Sequence, residues 1–156
     1  QPATVINISS LSGRFAFPFM GAYAASKFAL EAITDALRVE LRPWKIRVVS
    51  IEPGAVATPI WAKTLAAGGD RLDRLPASTR RPYQPFIDLV RTRTDPDTGI
   101  PPQRVVRAIE RALTARWPRA RYVIGNDARL RLLLGRLPTR LRDWLIARRL
   151  PGYGDT

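Results

Sequence analysis

Cysteine and histidine are both absent from this chain of 156 residues. Their absence excludes disulfides, thiolate ligands, ordinary structural zinc sites, and the Ser-His-Asp and Cys-His catalytic arrangements within the chain. A Ser-x-x-Lys nucleophile is missing as well, because no serine is followed by lysine three positions later. Proton transfer in any reaction must therefore use Tyr, Lys, Asp or Glu, and no metal site is expected.

Long apolar runs are also lacking. No stretch reaches 18 consecutive apolar residues, and the first residues show neither the basic nor the apolar region of a secretory signal. We therefore expect a soluble, cytoplasmic protein. A chain that is 46% hydrophobic over 156 residues can bury one core, so a single domain or a piece of a larger one is expected.

Acidic residues are scarce: 26 Lys and Arg against 13 Asp and Glu give a net charge of +13. Residues 1–60 hold six basic and four acidic residues, a net of +2, so +11 lies beyond them. The excess is nearly all arginine, for which drift in composition is the simplest explanation. Seven arginines interleave with leucines in residues 127–150, a pattern that favours peripheral membrane contact through this basic tail over nucleic acid, for which no binding motif is present.

Two β-branched runs flank a helical pattern in the first third of the chain. Residues 4–9 and 46–51 predict buried strands of a parallel sheet, and the apolar spacing over residues 21–42 predicts a helix that ends before Pro43. Parallel strands joined by a helix require a crossover connection, which is right-handed by default. This order indicates the α/β class.

The remaining chain divides into three segments, which with residues 1–58 make up one partial domain. Residues 59–100 lack clean periodicity and predict a mobile excursion with short helices. Residues 101–125 predict a helix followed by a short last strand from Arg121. Residues 126–156 predict one or two amphipathic helices, with a break near Pro138.

Tyr23 and Lys27 stand four residues apart on the predicted helix, so their side chains project from one helix face. A phenol titrates near 10 in water, but a neighbouring ammonium favours the phenolate and lowers that pKa. The pair is therefore a candidate acid–base unit. The alternative is a tyrosine on the core side of the helix beside a solvated lysine.

Polar and turn residues follow both predicted strands. Ser9 and Ser10 end the first strand, and Pro53 and Gly54 follow the second. Ligands of open α/β sheets bind at the carboxyl edge of the strands, where these residues would meet. A serine hydroxyl there could bond a substrate oxygen, and a glycine would let the main chain approach a flat ring. The alternative is that both pairs are ordinary turn residues.

Three stretches, all within about residues 4–60, resemble the short-chain dehydrogenase/reductase family: V-I-N-I-S-S-L-S-G, Y-A-A-S-K-F-A-L-E-A and I-R-V-V-S-I-E-P-G-A-V-A-T. The resemblance implies the C-terminal part of a doubly wound parallel-sheet (Rossmann-type) domain with an amphipathic helical tail. It also implies an oxidoreductase that depends on NAD or NADP, in which Tyr23 is the general acid/base, Lys27 lowers its pKa and holds the nicotinamide ribose, and Ser10 binds the substrate oxygen.

The same resemblance implies further contacts with the cofactor. Its binding residues would be Tyr23, Lys27, Pro53, Gly54, Val56 and Thr58, with Thr58 reaching the carboxamide or a phosphate. Asn7 corresponds to the family's sheet-stabilising asparagine.

The expected substrate is a hydrophobic primary or secondary alcohol or its carbonyl compound. Residues 59–99 occupy the position of the family's variable substrate loop. The sequence of the predicted helix resembles that of the retinol and hydroxysteroid dehydrogenase branches. An apolar pocket is expected from Phe19, Met20, Ile60 and Trp61, with Phe17 and Leu65 beside them. The alternative is that these side chains are simply core.

The glycine-rich dinucleotide fingerprint of the family does not occur in this sequence. For the 156 residues alone we therefore expect weak or no dinucleotide binding, and an unpaired, association-prone strand edge at residues 4–9. A homo-oligomer is expected, for which the smooth helix face formed by Ala25, Ala29, Ala32 and Ala36 is a candidate surface; the alternative is that this face packs on the chain's own sheet. The alternative function is a catalytically incompetent fragment that acts as a membrane-surface or oligomerisation module.

Overall fold

The computed structural model describes residues 3–60, 63, 68, 74–93, 99–125 and 128–150, with the side chains of 90–93 and 129 left aside. The chain forms two compact units. The first comprises Gln1–Val56 and Ile100–Arg136, and the second comprises Ala57–Gly99 and Leu137–Thr156. All the candidate catalytic residues belong to the first unit.

The described residues form three strands and six α-helices. The strands are β1 (Thr4–Ile8), β2 (Arg47–Pro53) and β3 (Arg121–Ile124). The helices are α1 (Gly21–Glu40), α2 (Ala77–Arg80), α3 (Gln84–Arg93), α4 (Pro102–Thr114), α5 (Ala128–Leu134) and α6 (Thr139–Ala147). Short 3-10 turns occur at Leu11–Gly13, Arg42–Trp44 and Arg81–Tyr83.

The three strands make one parallel sheet in the order β1-β2-β3. Each predicted strand is confirmed, with ends that move by one or two residues. Because the sheet is parallel, paired residues face the same side: Asn7 pairs with Ser50, and Ser50 with Arg121. The predicted α/β fold with a parallel sheet is therefore confirmed. Among the described residues β1 pairs with β2 alone, and its Val5 and Ile8 side chains are exposed.

One face of the sheet is apolar and packs against α4. Val49 and Ile51 of β2 and Ile124 of β3 are buried there, together with Ala108 and Ala112 of the helix. The two alanines allow the helix axis to come close to the strands. This cluster is the hydrophobic core of the first unit.

The opposite face of the sheet is polar, and α1 lies on it. Thr34 is fully buried and accepts a hydrogen bond from Asn7 Nδ2 (2.8 Å) while its own hydroxyl donates to Leu30 O. Ser50 Oγ donates to Glu31 Oε1 (2.5 Å). Buried polar groups are tolerated only when they are paired, and here each strand presents a partner to the helix.

The apolar side of α1 points away from the sheet. Ala25, Ala29, Ala32 and Ala36 are exposed, and so are Phe28 and Ile33. The interpretation of this alanine face as packing on its own sheet is therefore wrong, since the sheet is met by Ala24, Glu31 and Thr34. The expected homo-oligomer stays a prediction, and this open face is its candidate surface.

The second unit holds α2, α3 and α6. Residues 59–99, which belong to this unit, were predicted to contain short helices. The described residues of this segment form such helices. Within the ranges that the structure describes, no helix is both long and apolar enough to cross a bilayer.

Candidate active site

Ser10 lies at the carboxyl end of β1, where it caps the turn Leu11–Gly13. Its backbone is extended, and its hydroxyl oxygen accepts a hydrogen bond from Ser12 N (3.1 Å). The same hydroxyl donates a long bond to Pro53 O (3.5 Å) at the end of β2. Ser10 is buried, so its hydroxyl is held between the ends of two neighbouring strands.

Tyr23 and Lys27 lie in the first two turns of α1, on one helix face. The Lys27 ammonium is 5.8 Å from the centroid of the Tyr23 ring. It also donates a hydrogen bond to Ile8 O (3.1 Å), the last residue of β1. Lys27 therefore ties α1 to the strand end that leads into Ser10, while the phenol remains 42% exposed and accessible.

The residues after β2 complete this edge of the sheet. Pro53 is the last residue of β2, and Gly54 N donates to Ile124 O (2.8 Å) on β3. Val56 forms an isolated parallel bridge with Ile100. The structure thus joins Ser10 directly to Pro53 and attaches Lys27 to Ile8, two residues before Ser10, at the carboxyl ends of parallel strands, where α/β folds bind ligands.

The other expected site residues divide between the units. Phe19 and Met20, expected in the substrate pocket, lie in the first unit just before α1; Met20 N donates to Phe17 O (3.1 Å). Phe19 has φ of 66°, a left-handed conformation that is costly for a bulky residue and concentrates at functional sites. Thr58 and Ile60 belong to the second unit. Trp61 and Leu65 lie outside the described residues.

The Ser10 turn approaches α1 at van der Waals contact through Gly13. A Cβ placed on Gly13 would lie 2.9 Å from Lys27 O, 2.9 Å from Glu31 Cγ and 3.0 Å from Ser9 Oγ. Real side chains do not tolerate such distances, so only glycine fits here. The sequence contains this glycine in the S-S-L-S-G stretch, but its role as a spacer was not recognised.

A network of charges, which sequence reasoning missed, lies between α1 and the sheet; Glu31 and Glu52 are buried in it, whereas Asp35 and the arginines are partly exposed. Arg121 NH1 is 3.2 Å from Glu31 Oε2 and 3.5 Å from Glu52 Oε1, and its NH2 is 2.5 Å from Asp35 Oδ1. On the other side of Glu52, Arg14 NH1 lies 3.4 Å from Oε2. The signal that could have revealed the network is the alternation of Ser50 and Glu52 with apolar residues in a strand that must be buried on both faces.

The carboxylates of this network respond to it in opposite ways. Burial raises the pKa of the Glu52 carboxyl, and the negative charge of Glu31 acts in the same direction, against Arg14 and Arg121. The pKa of Asp35 is lowered by hydrogen bonds from Arg38 and then from Arg121. Within the described ranges, no group of three or more acidic residues is arranged to hold a metal ion.

Glu52→Gln is expected to leave the protein at least as stable at pH 7, with a gain of up to about 1 kcal/mol. A carboxyl whose pKa is raised by folding stabilises the folded state most below its unfolded pKa, and this contribution is lost as the pH rises through the folded value. Neither arginine becomes a buried unpaired charge, since Arg121 keeps Asp35 and Arg14 is partly exposed. The difference in unfolding free energy between variant and wild type should shrink as the pH falls towards 4.5, the ordinary value for Glu.

Urea titrations from pH 4.5 to 8 measure this difference. Asp35→Asn is the control with the opposite sign, because a lowered pKa stabilises above the unfolded value and that contribution is lost on acidification. A Glu52→Gln variant whose deficit in stability grows with rising pH would contradict the expectation.

Several known proteins resemble this chain over nearly its whole length. A model of the short chain dehydrogenase family matches residues 1–68. The chain is 38% identical over 161 residues to human short-chain dehydrogenase/reductase family 9C member 7, covering 97% of this chain and 50% of that protein. The chain belongs to the short-chain dehydrogenase/reductase family. The Tyr-x-x-x-Lys pair and the Ser-Ser turn of this chain lie within the matched residues.

Two further proteins extend the comparison. Human retinol dehydrogenase 5 is 39% identical over 165 residues, covering 94% of this chain and 48% of that protein. The crystal structure of a short-chain dehydrogenase from Streptomyces avermitilis, 25% identical, matches with a TM-score of 0.57 over 94% of this chain and 51% of that one. The chain thus spans about half the length of the curated relatives it matches.

Proposed function

We propose that this chain carries the proton-transfer machinery of an NAD(P)-dependent oxidoreductase, which interconverts a hydrophobic primary or secondary alcohol and its carbonyl compound. The observation that carries the proposal is the attachment of Lys27 to Ile8 O at the end of β1, with the Tyr23 phenol on the same face of α1. In this proposal the Lys27 ammonium, the Tyr23 phenol and the Ser10 hydroxyl act at the same edge of the sheet. In a chain without histidine, a phenol beside an ammonium can act as the general acid–base group.

Each residue has a separate task in this mechanism. Ser10 and Tyr23 would hold the substrate oxygen, and Tyr23 would give its phenolic proton to that oxygen in reduction or receive it in oxidation. The ammonium of Lys27 would stabilise the phenolate that remains after proton donation. The bound nicotinamide supplies or accepts the hydride.

The residues present fit a nicotinamide cofactor. An ammonium has three N–H donors, and one of those on Lys27 is used at Ile8 O, so donors remain for ribose hydroxyls. Pro53 and Gly54 follow at the neighbouring strand end, where the main chain can border a flat ring. The choice between NAD and NADP is made by contacts to the adenosine ribose, for which this chain offers no assigned residue.

A hydrophobic substrate is supported by the segment before α1. Phe17 and Phe19 are both exposed, and Phe19 holds a left-handed backbone that ordinary packing would not select. The similarity to retinol dehydrogenase 5, a protein named for an apolar alcohol, points the same way. Thr58 is proposed to contact the cofactor, and Ile60 and Trp61 to line the substrate pocket.

The test is an activity assay on the protein expressed from its complete gene. Retinol and a hydroxysteroid are offered with NAD or NADP, ethanol is the hydrophilic control, and reduced nicotinamide is followed by its absorbance. Hydride transfer from a hydrophobic alcohol is expected. The protein must first be shown to be folded and to bind the cofactor. If it then reduces neither NAD nor NADP with any apolar alcohol, the proposal is rejected.

A second candidate function, attachment to a membrane surface, is favoured by α6. Trp144 is 52% exposed, Leu141 is exposed one turn away, and the Arg148 guanidinium lies 4.8 Å from the Trp144 ring centroid. An exposed tryptophan and leucine flanked by arginines suit an interface with anionic lipid. Co-sedimentation with phosphatidylserine vesicles should fall in Trp144→Ala but not in Trp117→Ala, an exposed tryptophan of the other unit. Equal binding of both variants would reject this role.

A further inference from the structure

The turn that carries Ser10 is too short to fix its own orientation. It is a single 3-10 turn, Leu11–Gly13, held internally by bonds from Gly13 N to Ser10 O (2.9 Å) and from Arg14 N to Leu11 O (3.0 Å). These bonds set the shape of the turn but not its position over the sheet. Contacts with other elements must therefore place the Ser10 hydroxyl.

One such contact is an ion pair between Arg14, the residue that follows the turn, and Glu52 near the end of β2. Arg14 NH1 lies 3.4 Å from Glu52 Oε2. Glu52 precedes Pro53, whose carbonyl oxygen accepts the long bond from Ser10 Oγ. The Arg14–Glu52 pair and the Ser10–Pro53 bond thus join the two ends of the turn to two consecutive residues of one strand.

We propose that Arg14 and Glu52 are positioning residues that hold the Ser10 turn against β2; the inference rests on the proposed function, in which Ser10 binds the substrate oxygen. Neither residue needs to touch substrate. Their effect on the reaction passes through the position of the Ser10 hydroxyl relative to Tyr23 and Lys27.

The burial of Glu52 supports this role over a purely structural one. The side chain is 0% exposed, and burying a carboxylate is costly enough that an apolar residue of similar volume often stabilises a fold as well or better. A charge retained at this position is explained if it gives the turn a directional attachment that hydrocarbon contact would not provide. Arg121 occupies the other carboxylate oxygen (3.5 Å), so Glu52 receives one cation from each side.

Hydrogen exchange tests the attachment itself, independently of any enzymatic activity. Arg14→Met and Glu52→Gln should each raise the exchange rate of the amides of residues 11–14 by about ten-fold or more, because the turn opens locally without global unfolding. The double variant should exchange no faster than either single variant. The amides of α4 serve as the internal control, and Arg38→Met, which removes an arginine paired with Asp35, is the control variant.

Kinetics on the protein from the complete gene test the consequence for catalysis. Turnover per bound cofactor should fall by about ten-fold or more in both variants, since small displacements of a reacting group are expensive, while the KM for the cofactor changes by less than about two-fold. Arg14→Lys, which keeps the charge, should recover part of the loss. Stability should not fall in parallel, because Glu52→Gln removes a buried charge.

The outcomes separate this inference from the proposed function. Unchanged exchange in the turn overturns the attachment, and faster exchange with normal turnover per bound cofactor overturns its role in positioning. A wild-type protein without dehydrogenase activity rejects the proposed function, whereas exchange still decides the attachment. Near-normal turnover in Ser10→Ala rejects the role of Ser10. If turnover falls in Ser10→Ala but not in Arg14→Met, the positioning role of Arg14 and Glu52 is rejected and the role of Ser10 stands.

Discussion

Replacing Tyr23 by phenylalanine is expected to lower turnover by about 100- to 10,000-fold in the protein expressed from its complete gene. The change removes only the phenolic oxygen, and the ring is 42% exposed, so no cavity forms and the fold should persist. What disappears is the group proposed to exchange a proton with the substrate oxygen. Cofactor affinity should fall far less than turnover, because Tyr23 is one of several expected cofactor contacts and Lys27 remains bound to Ile8 O.

Steady-state kinetics and fluorescence titration with reduced cofactor measure the two effects separately. Tyr122→Phe is the matched control: it deletes the same atom from a tyrosine on β3, whose hydroxyl oxygen accepts a bond from Arg119 N (3.3 Å). Its turnover should stay near that of wild type. A Tyr23→Phe protein that turns over at a normal rate would remove Tyr23 from the mechanism.

Gly13→Ala is expected to have the next largest effect, a loss of about 1–3 kcal/mol in unfolding free energy. The added methyl would meet Lys27 O and Glu31 Cγ at 2.9 Å each, and the first of these atoms belongs to the backbone of α1 and cannot rotate away. The turn must therefore shift from the helix and take the Ser10 hydroxyl with it. Turnover should fall by up to about 100-fold beyond the effect of any unfolded fraction.

Gly21→Ala provides the control for this substitution. Gly21 is the first residue of α1, where a Cβ would meet nothing within 4 Å, and alanine favours helix by about 1 kcal/mol over glycine. Denaturant titrations should show Gly21→Ala to be unchanged or more stable. If Gly13→Ala matches it in stability and turnover, the close approach of turn and helix is not a constraint on the enzyme.

Strand runs and helix spacing were sufficient to predict the sheet. Alternating or continuous β-branched residues mark β1, β2 and β3, and the helix between the first two runs indicates that β1 and β2 are parallel, as they are. The Tyr-x-x-x-Lys spacing likewise placed Tyr23 and Lys27 on one helix face, because that follows from the helical repeat alone. These are local properties of the chain.

The direction in which α1 presents its faces could not be read from the same periodicity. The hydrophobic spacing singled out the alanine face of α1, which is exposed. The face of α1 that packs on the sheet carries Glu31 and Thr34. Which polar residues of α1 find partners on the sheet depends on residues far along the chain, such as Ser50 for the buried Glu31 and Arg121 for the exposed Asp35. The spacer role of Gly13 depends in the same way on an atom of Lys27 that only the folded chain brings near.

The polar contacts between α1 and the sheet also set the rotation of that helix about its axis. A helix that packs only through hydrocarbon can rotate or slide with little change in energy. Here adjacent residues of the α-helix differ by about 100° in direction, so a shift of one residue would break all of these polar contacts at once. Thr34 with Asn7, Glu31 with Ser50, and Asp35 with Arg121 are satisfied together in a single angular setting. These contacts fix the angular setting of α1, and the direction in which Tyr23 projects, about two turns before Glu31, follows from that setting.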